Sequence, residues 1–190
     1  RRVDCGGIDR IMNLYRLLKA RAASEQPIRV GLIGAGKFGT MFLSQALHTP
    51  GIHVLGVADL DVNKVYSNLA ATHWPPHRYQ AKSAAKALAD GSTWVTDDSE
   101  ALINSSGIEV LIEATGDPDA GIRHVLAAIK RGRHIVMVNV EADAVAGPYL
   151  AEKARLANVV YSLAYGDQPA LIIDMVDWAQ CCGFKVAAAG

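Results

Sequence analysis

The sequence predicts a doubly wound α/β fold, in which helices cover both faces of a parallel sheet. Three observations predict it: short apolar runs recur along the chain, helix-like segments separate most of them, and the first run ends in glycines that open directly into a helix. The predicted strands cover residues 28–33, 53–58, 94–96, 110–114, 134–138 and 159–163. The predicted helices cover residues 38–48, 63–71, 81–89, 98–105, 120–131, 147–157 and 170–182.

Composition favours a globular protein that acts on a small molecule. The chain has 190 residues, of which 51% are hydrophobic, and its 19 basic and 19 acidic side chains give no net charge. No basic excess draws it to nucleic acid or to an anionic membrane, and no apolar stretch suits a bilayer. Three cysteines cannot form an even disulfide framework, so we expect a cytoplasmic protein. Separately, we expect the protein to be a homo-oligomer.

The glycine-rich turn lies between the first predicted strand and the following helix. It has the spacing G-x-G-x-x-G, in which the first glycine allows a tight turn, the second lets the backbone approach a pyrophosphate, and the third allows close helix–strand packing. The amino end of the helix adds partial positive charge. The pyrophosphate is therefore predicted to bind at Gly34, Ala35, Gly36, Lys37, Phe38 and Gly39.

An acidic residue follows the second predicted strand at the distance that this motif requires. Asp59 lies 20 residues beyond Gly39, where its carboxylate can accept hydrogen bonds from the adenosine ribose. Together these features predict a Rossmann-type domain, and the carboxylate favours NAD because it repels the 2′-phosphate of NADP. Two alternatives stay open: an adenosylmethionine site, and glycines that merely build a turn.

Polar residues follow the later strands, at the edge of the sheet where a cofactor crevice forms. Thr115, Gly116, Asn139 and Glu141 are predicted to contact the nicotinamide end of the cofactor, and Asp167 and Gln168 the substrate. For the segments after the fourth, fifth and sixth strands, the alternative to ligand contact is helix capping or a plain turn. No histidine has an evident orienting partner, so His124 and His134 are predicted to be structural and the catalytic acid–base residue to lie beyond Gly190.

Three segments resemble the homoserine dehydrogenase-like oxidoreductases: GLIGAGKFG at 31–39, EATG at 113–116 and VNVEAD at 138–143. Within that group the chain looks most like the bacterial deoxyxylulose phosphate reductoisomerase-like proteins, which continue into a catalytic region and a SAF-type domain. In homoserine dehydrogenase and the ordinary reductoisomerase the fifth strand ends in Ala-Asn-Lys; Asn139 matches the asparagine, whereas Val140 stands where the lysine would be. The narrower resemblance implies NADPH, against the NAD that Asp59 favours.

The resemblance also bears on domains, metal and activity. Residues 1–27 are predicted as an extension with a helix at 8–22, residues 28–169 as the NAD(P)-binding domain, and residues 170–190 as the start of a truncated catalytic region. A divalent metal near Asp167 is implied by the reductoisomerase alone, and no metal ligand is assigned. The predicted activity is hydride transfer on a small polar substrate, with reductoisomerase or a homoserine or aspartate-semialdehyde dehydrogenase as forms of it. The alternative is a non-catalytic dinucleotide sensor.

Overall fold

Strands and helices alternate along the chain in the computed structural model, which describes residues 13–166 and 168–189. The strands are β1 Ile28–Ile33, β2 Ile52–Ala58, β3 Trp94–Thr96, β4 Val110–Glu113, β5 His134–Met137 and β6 Tyr161–Leu163. The α-helices are α1 Leu14–Ala23, α2 Lys37–Ala46, α3 Val62–Ala71, α4 Ala84–Asp90, α5 Ser99–Asn104, α6 Pro118–Lys130, α7 Val140–Leu156 and α8 Gln168–Cys181. A short 3₁₀-helix covers Pro76–Tyr79.

The strands form one parallel sheet in the order β3-β2-β1-β4-β5-β6, which confirms the predicted doubly wound α/β fold. The direction of strand order reverses between β1 and β4, and a crevice at such a switch point is where these sheets bind ligands. The register pairs Ile33 with both Ala58 and Glu113, and Glu113 with Met137. The residues that follow these strands therefore meet at one edge of the sheet.

The core consists of two clusters of buried apolar side chains. Neighbouring strand residues alternate between them: Leu32 belongs to one cluster and Ile33 to the other, and Ile112 and Leu111 divide in the same way. Because helices cover both faces, both sets of side chains are buried, which explains why the strands read as continuous apolar runs. Each buried leucine or isoleucine contributes about 1.5–3 kcal/mol.

Helix α7 begins seven residues earlier than predicted, at Val140 rather than at residue 147. The Asn139 side chain caps it by accepting a hydrogen bond from the amide of Ala142, and Glu141 and Asp143 provide negative charge in the first turn. Pro148 lies inside the helix, although proline favours a first turn. Burial of residues along the whole helix outweighs this local preference; those residues are Ala142, Gly147, Leu150 and Ala154.

The other differences between the predicted and the observed helices lie at the ends of the helices. Helix α4 begins at Ala84 because Ser83 caps it, and α6 begins at Pro118 because Asp117 caps it. The amino-terminal helix covers Leu14–Ala23, and the earlier part of the predicted 8–22 helix lies outside the described residues.

Candidate functional site

The glycine turn between β1 and α2 has a separate geometric reason for each glycine. Gly34 has φ +93°, and a Cβ there would lie 2.5 Å from the Ala114 carbonyl oxygen. A Cβ on Gly39 would collide with the Gly34 carbonyl oxygen, so the helix approaches the strand too closely for any side chain. Gly36 has nothing within 4 Å of its Cβ position. Two glycines are thus required by the fold, while the third faces open space.

The amino end of α2 lies at this open space. Its N-cap residue is Gly36, and no side chain caps the first turn. Lys37 and Phe38 are exposed there, whereas Ala35 is fully buried. Uncapped amides at a helix amino end bind anions well, because the N–H groups and the helix dipole both point at the ligand.

Asp59, directly after β2, is hydrogen-bonded to the glycine turn. Its Oδ2 accepts from the backbone amide of Ala35 at 2.7 Å, and its Oδ1 accepts from the amide of Asp61 at 3.0 Å. Each carboxylate oxygen has a further lone pair, and the residue is half-buried at the sheet edge. The carboxylate is therefore held beside the turn while it keeps the capacity to accept hydroxyl donors.

A polar network joins the ends of β4 and β5. Glu113 is fully buried, and its Oε1 accepts hydrogen bonds from Thr115 Oγ1 at 2.6 Å and His124 Nδ1 at 3.2 Å. The Asn139 amide donates to Thr115 Oγ1 at 3.2 Å and to the Asp117 carbonyl at 2.8 Å. Asn139 thus joins α7 to the loop after β4, and the predicted pair Thr115 and Asn139 is in direct contact.

Thr115 and His124 of this network line a cleft of about 540 Å³ at the carboxyl edge of the sheet, whereas Glu113 and Asn139 are buried and do not. The glycine turn forms one wall, and Asp59, Lys64 and Thr115 lie around it. Residues from α5 and α6 complete it; they are Ser99, Ala120, Arg123 and His124. Gly116 lies in the exposed loop after β4 with φ +73°, and Glu141 is exposed in the first turn of α7; neither contributes to the lining of the cleft.

A family model described as the NAD binding domain of homoserine dehydrogenase matches residues 30–163. This match covers well over half of the chain, from β1 to β6. The chain belongs to that family. The glycine turn, Asp59 and the cleft all lie within the matched region of this homoserine dehydrogenase-type NAD-binding domain.

Solved oxidoreductase structures share the fold of this NAD-binding domain. An NAD-binding oxidoreductase from Klebsiella pneumoniae has 18% identity and a TM-score of 0.57, over 83% of this chain and 39% of its own. A homoserine dehydrogenase from Thiobacillus denitrificans has 19% identity and a TM-score of 0.56, over 72% of this chain and 29% of its own. A myo-inositol dehydrogenase from Lactobacillus casei has 18% identity and a TM-score of 0.56, over 80% of this chain and 42% of its own. That structure is in complex with NAD(H) and myo-inositol.

The chain therefore spans less than half the length of the solved oxidoreductases it resembles. A search of curated proteins found no match. What these comparisons establish for the domain is its family and its fold.

A second groove of about 400 Å³ lies between α7, β6 and α8 of the NAD-binding domain. Inside it the Tyr161 hydroxyl donates to Asp143 Oδ1 at 2.8 Å. Burial and this hydrogen bond raise the pKa of the Tyr161 hydroxyl above its usual range. Gln168 begins α8, beside this groove, while its side chain and the whole of Asp167 lie outside the described residues.

No site role is predicted from the sequence for Ser99 and Arg123, which line the cleft, or for Glu113, which is buried next to His124. His124 is predicted to be structural, and that stays a prediction; the histidine lines the cleft, and its Nδ1 lies 3.2 Å from Oε1 of the buried Glu113. One signal was available, because Glu113 is the only charged residue in an otherwise apolar strand, Val110–Glu113. His124 carried no such signal, since its partners lie 11 and 25 residues away.

The described part of the domain has neither a cluster of metal-binding side chains nor a helix suited to a membrane. Among residues 13–166 and 168–189, no three histidine, cysteine or acidic side chains gather closely enough to hold a metal ion. Over the same residues, no helix combines the length and apolar character needed to cross a membrane.

Proposed function

We propose that this chain is the cofactor-binding part of an NAD(H)-dependent oxidoreductase that acts on a carbonyl–alcohol pair of a small polar substrate. The observation that carries the proposal is the hydrogen bond from Ala35 to Asp59, which holds the ribose-binding acid beside the pyrophosphate-binding turn. Membership of an NAD-binding family supports it, as does the NAD(H) bound to the similar myo-inositol dehydrogenase.

The residues present fit a dinucleotide laid across the cleft. The diphosphate would bind the uncapped amides at the amino end of α2, above the open position at Gly36. The Asp59 carboxylate would accept the adenosine ribose hydroxyls with its remaining lone pairs. At the nicotinamide end we assign Thr115, Gly116, Asn139 and Glu141, of which Thr115 and Asn139 have the geometric support of a direct hydrogen bond.

The proposed cofactor is NAD(H) rather than NADP(H). A 2′-phosphate on the ribose would lie against the Asp59 carboxylate, and two negative charges at contact distance repel strongly in a partly desolvated cleft. Lys64 and Arg123 also line the cleft, but Asp97 and Asp117 line it too and offset their positive charge.

In the proposed reaction, the bound nicotinamide supplies or accepts the hydride, and the chain positions and shields it. The hydrogen-bonded network of Glu113, Thr115 and Asn139 holds Thr115 at the cleft and joins the ends of β4 and β5. Asp167 and Gln168 are proposed to touch substrate. We also propose a homo-oligomeric cytoplasmic enzyme, whose oligomeric state sedimentation of the full-length protein would measure.

A thermal-shift titration tests the cofactor directly. The chain is melted with NADH, NADPH and adenosylmethionine in turn, because a ligand that binds only the folded state raises the melting temperature. We expect the largest increase with NADH. An increase with adenosylmethionine alone, or with none of the three, would contradict the proposal.

Activity of the full-length protein separates the finer alternatives. Oxidation of NAD(P)H with deoxyxylulose phosphate would identify a reductoisomerase, and NAD(P) reduction with homoserine a dehydrogenase of that type. Tight cofactor binding with no turnover of any carbonyl or alcohol substrate would instead favour a dinucleotide sensor.

A further inference from the structure

Leu60 is the most exposed large apolar side chain in the part of the chain that the structure describes, with a relative exposure of 95%. It follows Asp59 directly and lines the cleft. Ile33, the other large apolar residue of the described lining, is 2% exposed and belongs to the core. A single exposed leucine is ordinary on an outer surface, but this one lies where a bound ligand can cover it.

The backbone on both sides of Leu60 is held by hydrogen bonds. The amide of Asp59 donates to the Thr96 carbonyl at 3.1 Å, and the amide of Asp61 donates to Asp59 Oδ1 at 3.0 Å. Asp61 in turn caps α3 by accepting from the amide of Lys64. Because this turn fixes where the leucine leaves the chain, a ligand that covers it need not order the backbone first, which lowers the cost of binding.

The order of the strands indicates where each part of the proposed cofactor lies. The neighbouring strands β4, β1 and β2 are followed by Thr115, the glycine turn and Asp59, to which we assign the nicotinamide end, the diphosphate and the adenosine ribose. In that ribose the base is bonded to C1′, and the diphosphate is linked at the other end of the sugar through C5′. With the hydroxyls at Asp59 and the diphosphate at the glycine turn, the base therefore points away from the turn. It lies over the loop that follows β2, where Leu60 is the next residue.

We propose that Leu60 is the platform against which the adenine base packs, and thus a specificity-determining residue that makes the site favour a dinucleotide over a nicotinamide mononucleotide. The inference rests on the proposed cofactor site, because the contact between Asp59 and the ribose places the base. Adenine is planar, and contact of one face with the leucine removes apolar surface of both partners from water. The contact depends on no ionisable group.

Isothermal titration of the full-length protein with NADH, ADP-ribose and reduced nicotinamide mononucleotide tests the platform. ADP-ribose keeps the adenine and lacks the nicotinamide, and the mononucleotide has the reverse composition. Leu60→Ser should bind NADH and ADP-ribose roughly tenfold more weakly, the effect of losing one apolar side chain from the contact, and should bind the mononucleotide as the wild-type protein does. Leu60→Met, which stays apolar and of similar size, should keep the wild-type affinities.

Leu60→Trp provides a second readout, which a merely structural role of the leucine would not move. A base stacks well on an aromatic side chain, so this variant should bind ADP-ribose at least as tightly as the wild-type protein does. The stacked adenine should also quench the emission of the added tryptophan. The same titration of the wild-type protein, which has three tryptophans, gives the background to subtract.

Leu156→Ser is the matched control. Leu156 is 65% exposed at the end of α7 and does not line the cleft, so this variant should keep the wild-type affinity for all three ligands. The inference would be overturned, with the proposed function left standing, by any of three results: unchanged affinity of Leu60→Ser for ADP-ribose, an equal loss for the mononucleotide, or emission of Leu60→Trp that ADP-ribose does not quench. Failure of the wild-type protein to bind NADH and ADP-ribose would overturn both.

Discussion

Asp59 and Ala35 are 24 residues apart in the sequence, and the carboxylate of Asp59 accepts a 2.7 Å hydrogen bond from the backbone amide of Ala35. One residue follows β2 and the other follows β1, and the two strands are neighbours in the sheet. The bond therefore joins the ends of two parallel strands where the sheet edge opens. It holds the conformation of the glycine turn through a charge-assisted contact, which is stronger than a bond between neutral groups.

Replacing Asp59 with alanine should weaken NADH binding and ease NADPH binding. The variant removes the acceptor for the ribose hydroxyls and also the charge that repels a 2′-phosphate, so we expect roughly a tenfold loss of NADH affinity. Titration with both cofactors measures the ratio. Asp61→Ala is the control, because Asp61 caps α3 through the Lys64 amide and its loss should cost about 1 kcal/mol of stability without changing the ratio. An unchanged cofactor preference in Asp59→Ala would contradict the ribose assignment.

Valine at position 36 should abolish cofactor binding while the protein stays folded. Gly36 has φ −66°, which any residue adopts, and nothing lies within 4 Å of its Cβ position, so the side chain would fill only the space assigned to the diphosphate. Gly34→Ala is the contrasting variant: its positive φ and the nearby Ala114 backbone should cost about 1–3 kcal/mol of stability. Melting curves with and without NADH distinguish the two effects. Wild-type affinity in Gly36→Val would place the diphosphate elsewhere.

Loss of the Asn139 side chain should destabilise the protein by about 2–3 kcal/mol, since it removes the cap of α7 and two donated hydrogen bonds. Urea unfolding measures this change. Asn139→Ser keeps a capping oxygen and loses the two donors, so its stability should lie between that of Asn139→Ala and the wild type. Equal losses in the two variants would show that the donated bonds alone matter.

Stability should fall as the pH drops below about 6.5, partly because of His53. Burial lowers the pKa of this histidine, whose Nε2 lies 2.7 Å from the Ser92 carbonyl oxygen. Since the folded pKa is below the unfolded one, the unfolded chain binds the proton more tightly, and acid favours unfolding by up to about 1.4 kcal/mol per pH unit. Unfolding free energies between pH 5 and 8 should show a smaller slope for His53→Gln. His77→Gln, at an exposed histidine, should keep the wild-type slope.

The glycine turn and the strands were predictable because their signals are local. Gly34, Gly36 and Gly39 are read from spacing alone, and each predicted strand overlaps an observed one because full burial selects apolar residues at every position. Helix α7 begins seven residues before its predicted start, because the Asn139 cap and the buried residues on both sides of Pro148 decide its length. Local preferences of this kind are weak beside tertiary packing.

The sequence by itself determined the fold class, the place of the glycine turn and the acid at Asp59, since each depends on residues close together along the chain or on a regular pattern. Only the tertiary structure decided that Glu113 orients His124 and that His124 meets Ser99. Those contacts join β4, α6 and α5, and no pattern in the chain encodes which side chains of three separate elements will share one hydrogen-bonded path. The buried carboxylate of Glu113 lies next to an open cleft only because the parallel strands align at this edge of the sheet.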